Sequence, residues 1–187
     1  MTTNTSLRDW VEQTAKLTRP DRIHWCNGSD IERDELVQQM LGTGELIELN
    51  QATFPKCYLH RSNPSDVARV EHLTFICTPD KEDAGPNNNW MDPAAAHARI
   101  DALFAGCMQG RTMYVVPYCM GPINSPHSRC GVEITDSPYV VLNMRIMTRM
   151  GTPALRRIEQ DGTFVKGLHS IGDLDPPRSG LEIVFAG

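Results

Sequence analysis

The sequence predicts a mixed α/β fold, and three observations carry that prediction. Helix and strand signals alternate along the chain instead of segregating to its two halves. Several helices announce their starts with a capping residue followed by proline or by a capping box. No repeat, low-complexity tract or long linker divides the 187 residues, so they form one compact domain or a lobe of a larger one.

The elements follow in order. Leu7–Leu17 places Leu7, Trp10, Val11, Thr14 and Leu17 on one stripe, the spacing of an amphipathic helix. Ser29-Asp30-Ile31-Glu32 is a capping box that opens a helix to about Leu41, stopped by Gly42 and Gly44. Glu45–Leu49, Leu73–Cys77 and Met113–Pro117 read as short strands, with Asp80–Asn89 as a polar surface loop. Asp92-Pro93 starts an alanine-rich helix to Phe104, and Asp136-Ser137-Pro138 starts another to about Met150, ended by Gly151. Thr152-Pro153 caps a further short helix, Asp161-Gly162 turns the chain, and Thr163–Leu168 is a strand. Leu181–Ala186 reads as a last strand with nothing after it to pair with.

Composition excludes several classes. A formal net charge of -5 argues against general nucleic-acid binding, which needs a basic surface. The longest apolar runs, such as Met113–Pro117 and Ser137–Met144, are too short to span a bilayer. Met1–Asp9 lacks the basic and apolar regions of a secretory signal. Cys26, Cys57, Cys77, Cys107, Cys119 and Cys130 form no C-x-x-C pair, so reduced thiols in a soluble, cytoplasmic protein are expected.

Motifs of chemistry are sparse. Gly106–Thr112 is one residue short of a phosphate-binding loop and has arginine where the lysine belongs, so Gly106 and Gly110 read as a helix stop and a turn. No two of His24, His60, His72, His97, His127 and His169 share a metal-ligand spacing with a carboxylate, so each reads as a surface or structural histidine. Arg69 and Glu71 flank a turn before the Leu73 strand: the guanidinium can grip a substrate carboxylate bidentately, or the two can form an exposed ion pair. Met144, Met147 and Met150 lie three apart, the pattern of core packing, while Arg145 and Arg149 share a helix face.

Gly110-Arg111-Thr112-Met113-Tyr114-Val115-Val116-Pro117 followed by Met120-Gly121-Pro122 resembles a stretch of the GTP-dependent phosphoenolpyruvate carboxykinases. Asp66–Glu71, Glu133–Val141, Met144–Gly151 and Leu168–Ser170 continue the resemblance in the same order, and Trp10 and Ile23–Ser29 fit the family's opening. The similarity runs over residues 7 to 176. It implies a mixed-sheet amino-terminal domain over 1–176, with a divergent or truncated tail at 177–187. It also implies an enzyme that turns oxaloacetate and GTP into phosphoenolpyruvate, carbon dioxide and GDP, the entry step of gluconeogenesis.

By the same resemblance Arg69 binds the substrate carboxylate and Glu71 supports that arginine. The family's manganese (or magnesium), its GTP and its catalytic groups belong to motifs that this sequence lacks. The chain is therefore expected to hold no catalytic, cofactor or metal residue, to need a carboxy-terminal catalytic domain as partner, and to be inactive alone. The full-length enzyme is expected to be a monomer. A free-standing anion-binding or interaction module is the alternative.

Overall fold

The computed structural model describes residues 2–61 and 70–172 and the backbone of Ile183–Ala186. The expected α/β class is present, built on a mixed sheet. Its strand order is β1 (Arg22–Trp25), β6 (Thr112–Met120), β7 (Arg129–Thr135), β9 (Val165–Ser170) and β10 (Ile183–Ala186), with β8 (Arg149–Met150) also against β6. β1 runs parallel to β6 and β7 parallel to β9, whereas β6–β7, β6–β8 and β9–β10 are antiparallel. The final strand pairs with β9, which precedes it, at the edge of the sheet.

β6 is bonded along both edges, and its residues Met113–Pro117 are all buried. Alternation sends them to opposite faces. Met113 and Val115 join Val132, Ile134 and Leu168 under α1 (Thr5–Thr18), α3 (Pro93–Phe104) and α5 (Thr152–Asp161). Tyr114 and Val116 face the other way, into a cluster with Leu36 of α2 (Asp30–Thr43) and Val141 of α4 (Pro138–Met147). Val37 and Met40 of α2 also cover the small hairpin of β2 (Leu46–Glu48) and β3 (Tyr58–His60). β4 (Phe75–Ile76) and β5 (Asn89–Trp90) form a separate two-stranded pair.

Local rules explain most boundaries. The Asn4 side chain accepts from Leu7 N at 3.0 Å, so α1 begins ahead of its apolar stripe. Half of the expected capping box is made: the Ser29 hydroxyl accepts from Glu32 N at 3.1 Å, but Ser29 N donates to Asn27 Oδ1 and the Glu32 carboxylate reaches further back, to Asn27 N and Gly28 N. α2 runs through Gly42 and stops at Gly44, whose φ of 79° closes the helix in the left-handed region. α4 is shorter than expected: Thr148 ends it, and Arg149–Met150 leave to pair with Tyr118 and Cys119.

Three other expectations are corrected. Pro117 does not end its strand, which continues to Met120. Its carbonyl accepts from Gly151 N at 2.8 Å on the side between β1 and β8, so its missing amide falls in a gap where no ladder bond is needed. Leu73 sits in a single 3₁₀ turn, Glu71–Leu73, leaving only Phe75–Ile76 as strand, and the polar loop contains a second such turn at Lys81–Ala84. Cys119 and Cys130 are register partners on β6 and β7 and are joined as a disulfide, against the expectation that every cysteine is reduced. Pairing was set by strand register, which cysteine spacing does not report.

The joint between β1 and α5 is a backbone crossing. Gly151 (φ 87°) leaves no room for a side chain, since a Cβ there would lie 2.1 Å from Asn27 O. Thr152 N donates to that same oxygen at 3.1 Å.

Glu133 is the uneasy residue of the sheet. It lies opposite Gly167, where a Cβ would come within 2.0 Å of its carboxylate, so the glycine makes room for it. Burial raises the Glu133 pKa from 4.5 to about 7. A raised acid favours folding when protonated, so its contribution is fully present below pH 4.5 and is lost as pH climbs through about 7. We expect the protein to lose on the order of 3 kcal/mol of stability from this group across that window, and Glu133→Gln to flatten the profile. Urea midpoints against pH check this; identical slopes in the two proteins contradict it.

Candidate functional site

Two polar hollows share a wall where α2 passes over the edge of the sheet. The larger, about 230 Å³, is lined among others by Gln39, Thr43 and Glu45 on one side and by Arg111, Tyr114, Asp136 and Ser137 on the other. The smaller, about 120 Å³, is lined by Arg22, His24, Glu32, Glu35, Leu36, Gln39 and Tyr114. Tyr114 and Gln39 separate the two, their side-chain oxygens 3.5 Å apart.

Asp136 organises the first hollow. It follows directly from β7, its side chain is fully buried, and Arg111 Nε sits 3.1 Å from its Oδ2. Ser170 Oγ donates to Oδ2 at 2.8 Å and Ile171 N donates to Oδ1 at 2.9 Å. The Arg111 guanidinium also donates to the carbonyls of Cys107 and, at 2.6 Å, Gly172. Beside them Thr135 Oγ1 accepts from Ser137 N and lies 2.8 Å from His169 Nδ1. The guanidinium is thus committed to neighbours within the fold, and its role here is to shape the wall.

Beside the second hollow, whose lining includes His24 and Glu32, lies a grouping that chain spacing concealed. His24 and Cys26 are two apart on β1 and its continuation, so they share a face, and the capping box brings Glu32 beneath them. His24 Nε2 is 2.8 Å from Glu32 Oε1, and Glu32 accepts from Asn27 N at 2.9 Å and Gly28 N at 2.8 Å. Their donor atoms all lie within 4.8 Å of one another, the one such group among the described residues. Burial first, and the Glu32 charge second, push the Cys26 thiol pKa well up. His24 is a structural histidine satisfied by Glu32, as expected from the sequence, but its carboxylate partner and Cys26 come from a different turn that histidine spacing does not report.

Of the two residues singled out for substrate contact, Arg69 lies outside the described residues. Glu71 opens the 3₁₀ turn Glu71–Leu73 and is exposed; its carbonyl accepts from Asn89 Nδ2 at 2.7 Å. The methionine stripe divides: Met144 and Met150 pack against the α2–α4 cluster, while Met147 is 63% exposed. Arg145 pairs with Asp30 and donates to Gly28 O, tying α4 to the start of α2. No helix among the described residues is long and apolar enough to cross a membrane.

Residues 9–182 match the sequence model of the phosphoenolpyruvate carboxykinase N-terminal domain. The chain is 56% identical over 177 residues to the phosphoenolpyruvate carboxykinase [GTP] of Anaeromyxobacter dehalogenans strain 2CP-C, covering 95% of this chain and 30% of that protein. Proteins of the same name from Chlamydia trachomatis serovar D and Corynebacterium jeikeium are 54% and 53% identical, each covering 91% of this chain and 28% of theirs. The chain thus spans less than a third of the length of these relatives.

Asp136→Ala strands Arg111 beside a buried void and frees Ser170 and Ile171 N. The expected loss is about 3 kcal/mol in urea unfolding, and Arg111→Met with Asp136→Leu together should recover most of it. A loss below about 1 kcal/mol for Asp136→Ala contradicts its organising role.

Proposed function

From the premise that the chain belongs to the phosphoenolpyruvate carboxykinase N-terminal domain family, we propose that it forms the substrate-gripping lobe of a GTP-dependent carboxykinase. The single observation carrying this reading is the 56% identity over 95% of the chain with a phosphoenolpyruvate carboxykinase [GTP]. In the proposed division of labour, Arg69 holds the carboxylate of oxaloacetate or phosphoenolpyruvate as a bidentate anchor. Glu71, two residues on at the head of its 3₁₀ turn, orients that guanidinium.

The region equivalent to the remaining two-thirds or more of the relatives' length supplies GTP, metal and catalytic groups. The residues described here do not fit the family's manganese. Their one candidate cluster includes a thiol, whereas manganese favours carboxylate, carbonyl and water oxygens. No step is assigned to a metal on this chain. Its own contribution is positional: fixing the carboxylate on a rigid lobe removes orientational freedom before decarboxylation and phosphoryl transfer begin.

The proposal is tested by exchange. The 187-residue protein alone, given oxaloacetate, GTP and manganese, is expected to give no phosphoenolpyruvate. Residues 9–182 placed in the A. dehalogenans enzyme in place of its own matching segment are expected to sustain GTP-dependent turnover within about tenfold of the parent. Turnover by the chain alone overturns the division of labour, and a folded but silent chimera overturns the functional reading.

A further inference from the structure

The His24–Cys26–Glu32 group sits outside everything assigned to substrate contact. It combines imidazole nitrogen, thiol sulfur and carboxylate oxygen within 4.8 Å, with Cys26 and Glu32 buried and with His24 and Glu32 lining the 120 Å³ hollow. We propose that these three side chains bind a borderline-soft divalent cation of the zinc type, with water from the hollow as fourth ligand.

The donor set selects the ion. One sulfur, one nitrogen and one oxygen suit tetrahedral Zn²⁺ or Co²⁺, and a thiolate disfavours magnesium, calcium and manganese. Bond lengths of about 2.0–2.3 Å around a tetrahedral ion put neighbouring ligand atoms about 3.3–3.6 Å apart. The Glu32–His24 separation of 2.8 Å must therefore open by about half an ångström, a movement of two side-chain ends.

The exchange balances in charge and protons. The Cys26 thiol releases its proton to solvent as the metal–sulfur bond forms. The proton between His24 Nε2 and Glu32 either moves to Nδ1 or leaves, freeing Nε2 to coordinate. Thiolate and carboxylate then cancel the two positive charges, which a bare cation at the α2 N-terminus would otherwise find repelled by the helix dipole. Glu32 Oε2 keeps its bond from Gly28 N, so the cap survives while the carboxylate is shared. Arg22 lines the far side of the hollow, near Thr112 Oγ1, and Glu35 adds a second acidic wall. Metal binding would fasten β1, an edge strand, to the first turn of α2.

Cobalt(II) is the probe, added under argon and without reductant to the metal-free 187-residue protein, so that the Cys119–Cys130 disulfide stays intact. The expected result is one equivalent bound, with the strong visible bands of tetrahedral cobalt and a near-ultraviolet sulfur-to-cobalt charge-transfer band. Cys26→Ser should remove that band, and His24→Gln, which deletes a direct ligand, should weaken binding by at least about 10-fold, the least that losing even an outer partner costs. Glu32→Gln keeps one of the two oxygens that accept from Asn27 N and Gly28 N and loses the charge, so it should also weaken binding, read on protein whose circular dichroism matches the parent's. Cys57→Ser and Cys77→Ser, at thiols outside the cluster, should change nothing. A weak octahedral spectrum, a sulfur band that persists in Cys26→Ser, or unchanged affinity in folded Glu32→Gln overturns the proposal.

Discussion

The buried carboxylate of Asp136 holds the ends of the sheet in register with one another. It draws Arg111 from the entry to β6, Ser170 from the end of β9 and the Ile171 amide onto one point, directly before the Ser137 cap of α4. Water would compete for each of these groups separately, but a buried anion is tolerated only when all its lone pairs are used together. Three chain segments distant in sequence, around Arg111, Asp136 and Ser170–Ile171, are therefore fixed by the need to satisfy one charge. The rest of the architecture hangs on the same frame, since β6 is apolar on both faces and must be covered by helices on each.

Much of this was legible because the helix starts are chemical statements. Asp92-Pro93, Ser137-Pro138 and the Ser29–Glu32 box each specify a hydrogen bond that the structure contains. Strands were harder to see. β1 is short and partly exposed, and β7 carries Arg129, Gly131 and Glu133 among its apolar residues, so neither shows a clean period. Pro117 reads locally as a strand end and is tolerated only because its amide side faces a gap between two short strands.

Side-chain groupings set by register were illegible for the same reason. Nothing in a spacing of eleven residues announces that Cys119 meets Cys130, or that β1 and the α2 cap will bring His24, Cys26 and Glu32 together. The Asp136 network was likewise invisible: Asp136 reads in the sequence as part of a helix start, and its partners come from other strands. The resemblance to the carboxykinases was legible from long motifs in order, and the match over residues 9–182 places the chain in that family.

The hydrogen-bonded sheet supplies the frame, while the proposed chemistry rests on Arg69. Replacing Arg69 by alanine in a chimera that carries residues 9–182 within the A. dehalogenans enzyme tests that claim most directly. The account predicts a rise of tenfold or more in KM for oxaloacetate, on the order of 1.4 kcal/mol or more of binding, with KM for GTP little changed. An oxaloacetate KM equal to that of the unaltered chimera, at equal folded content, would contradict it.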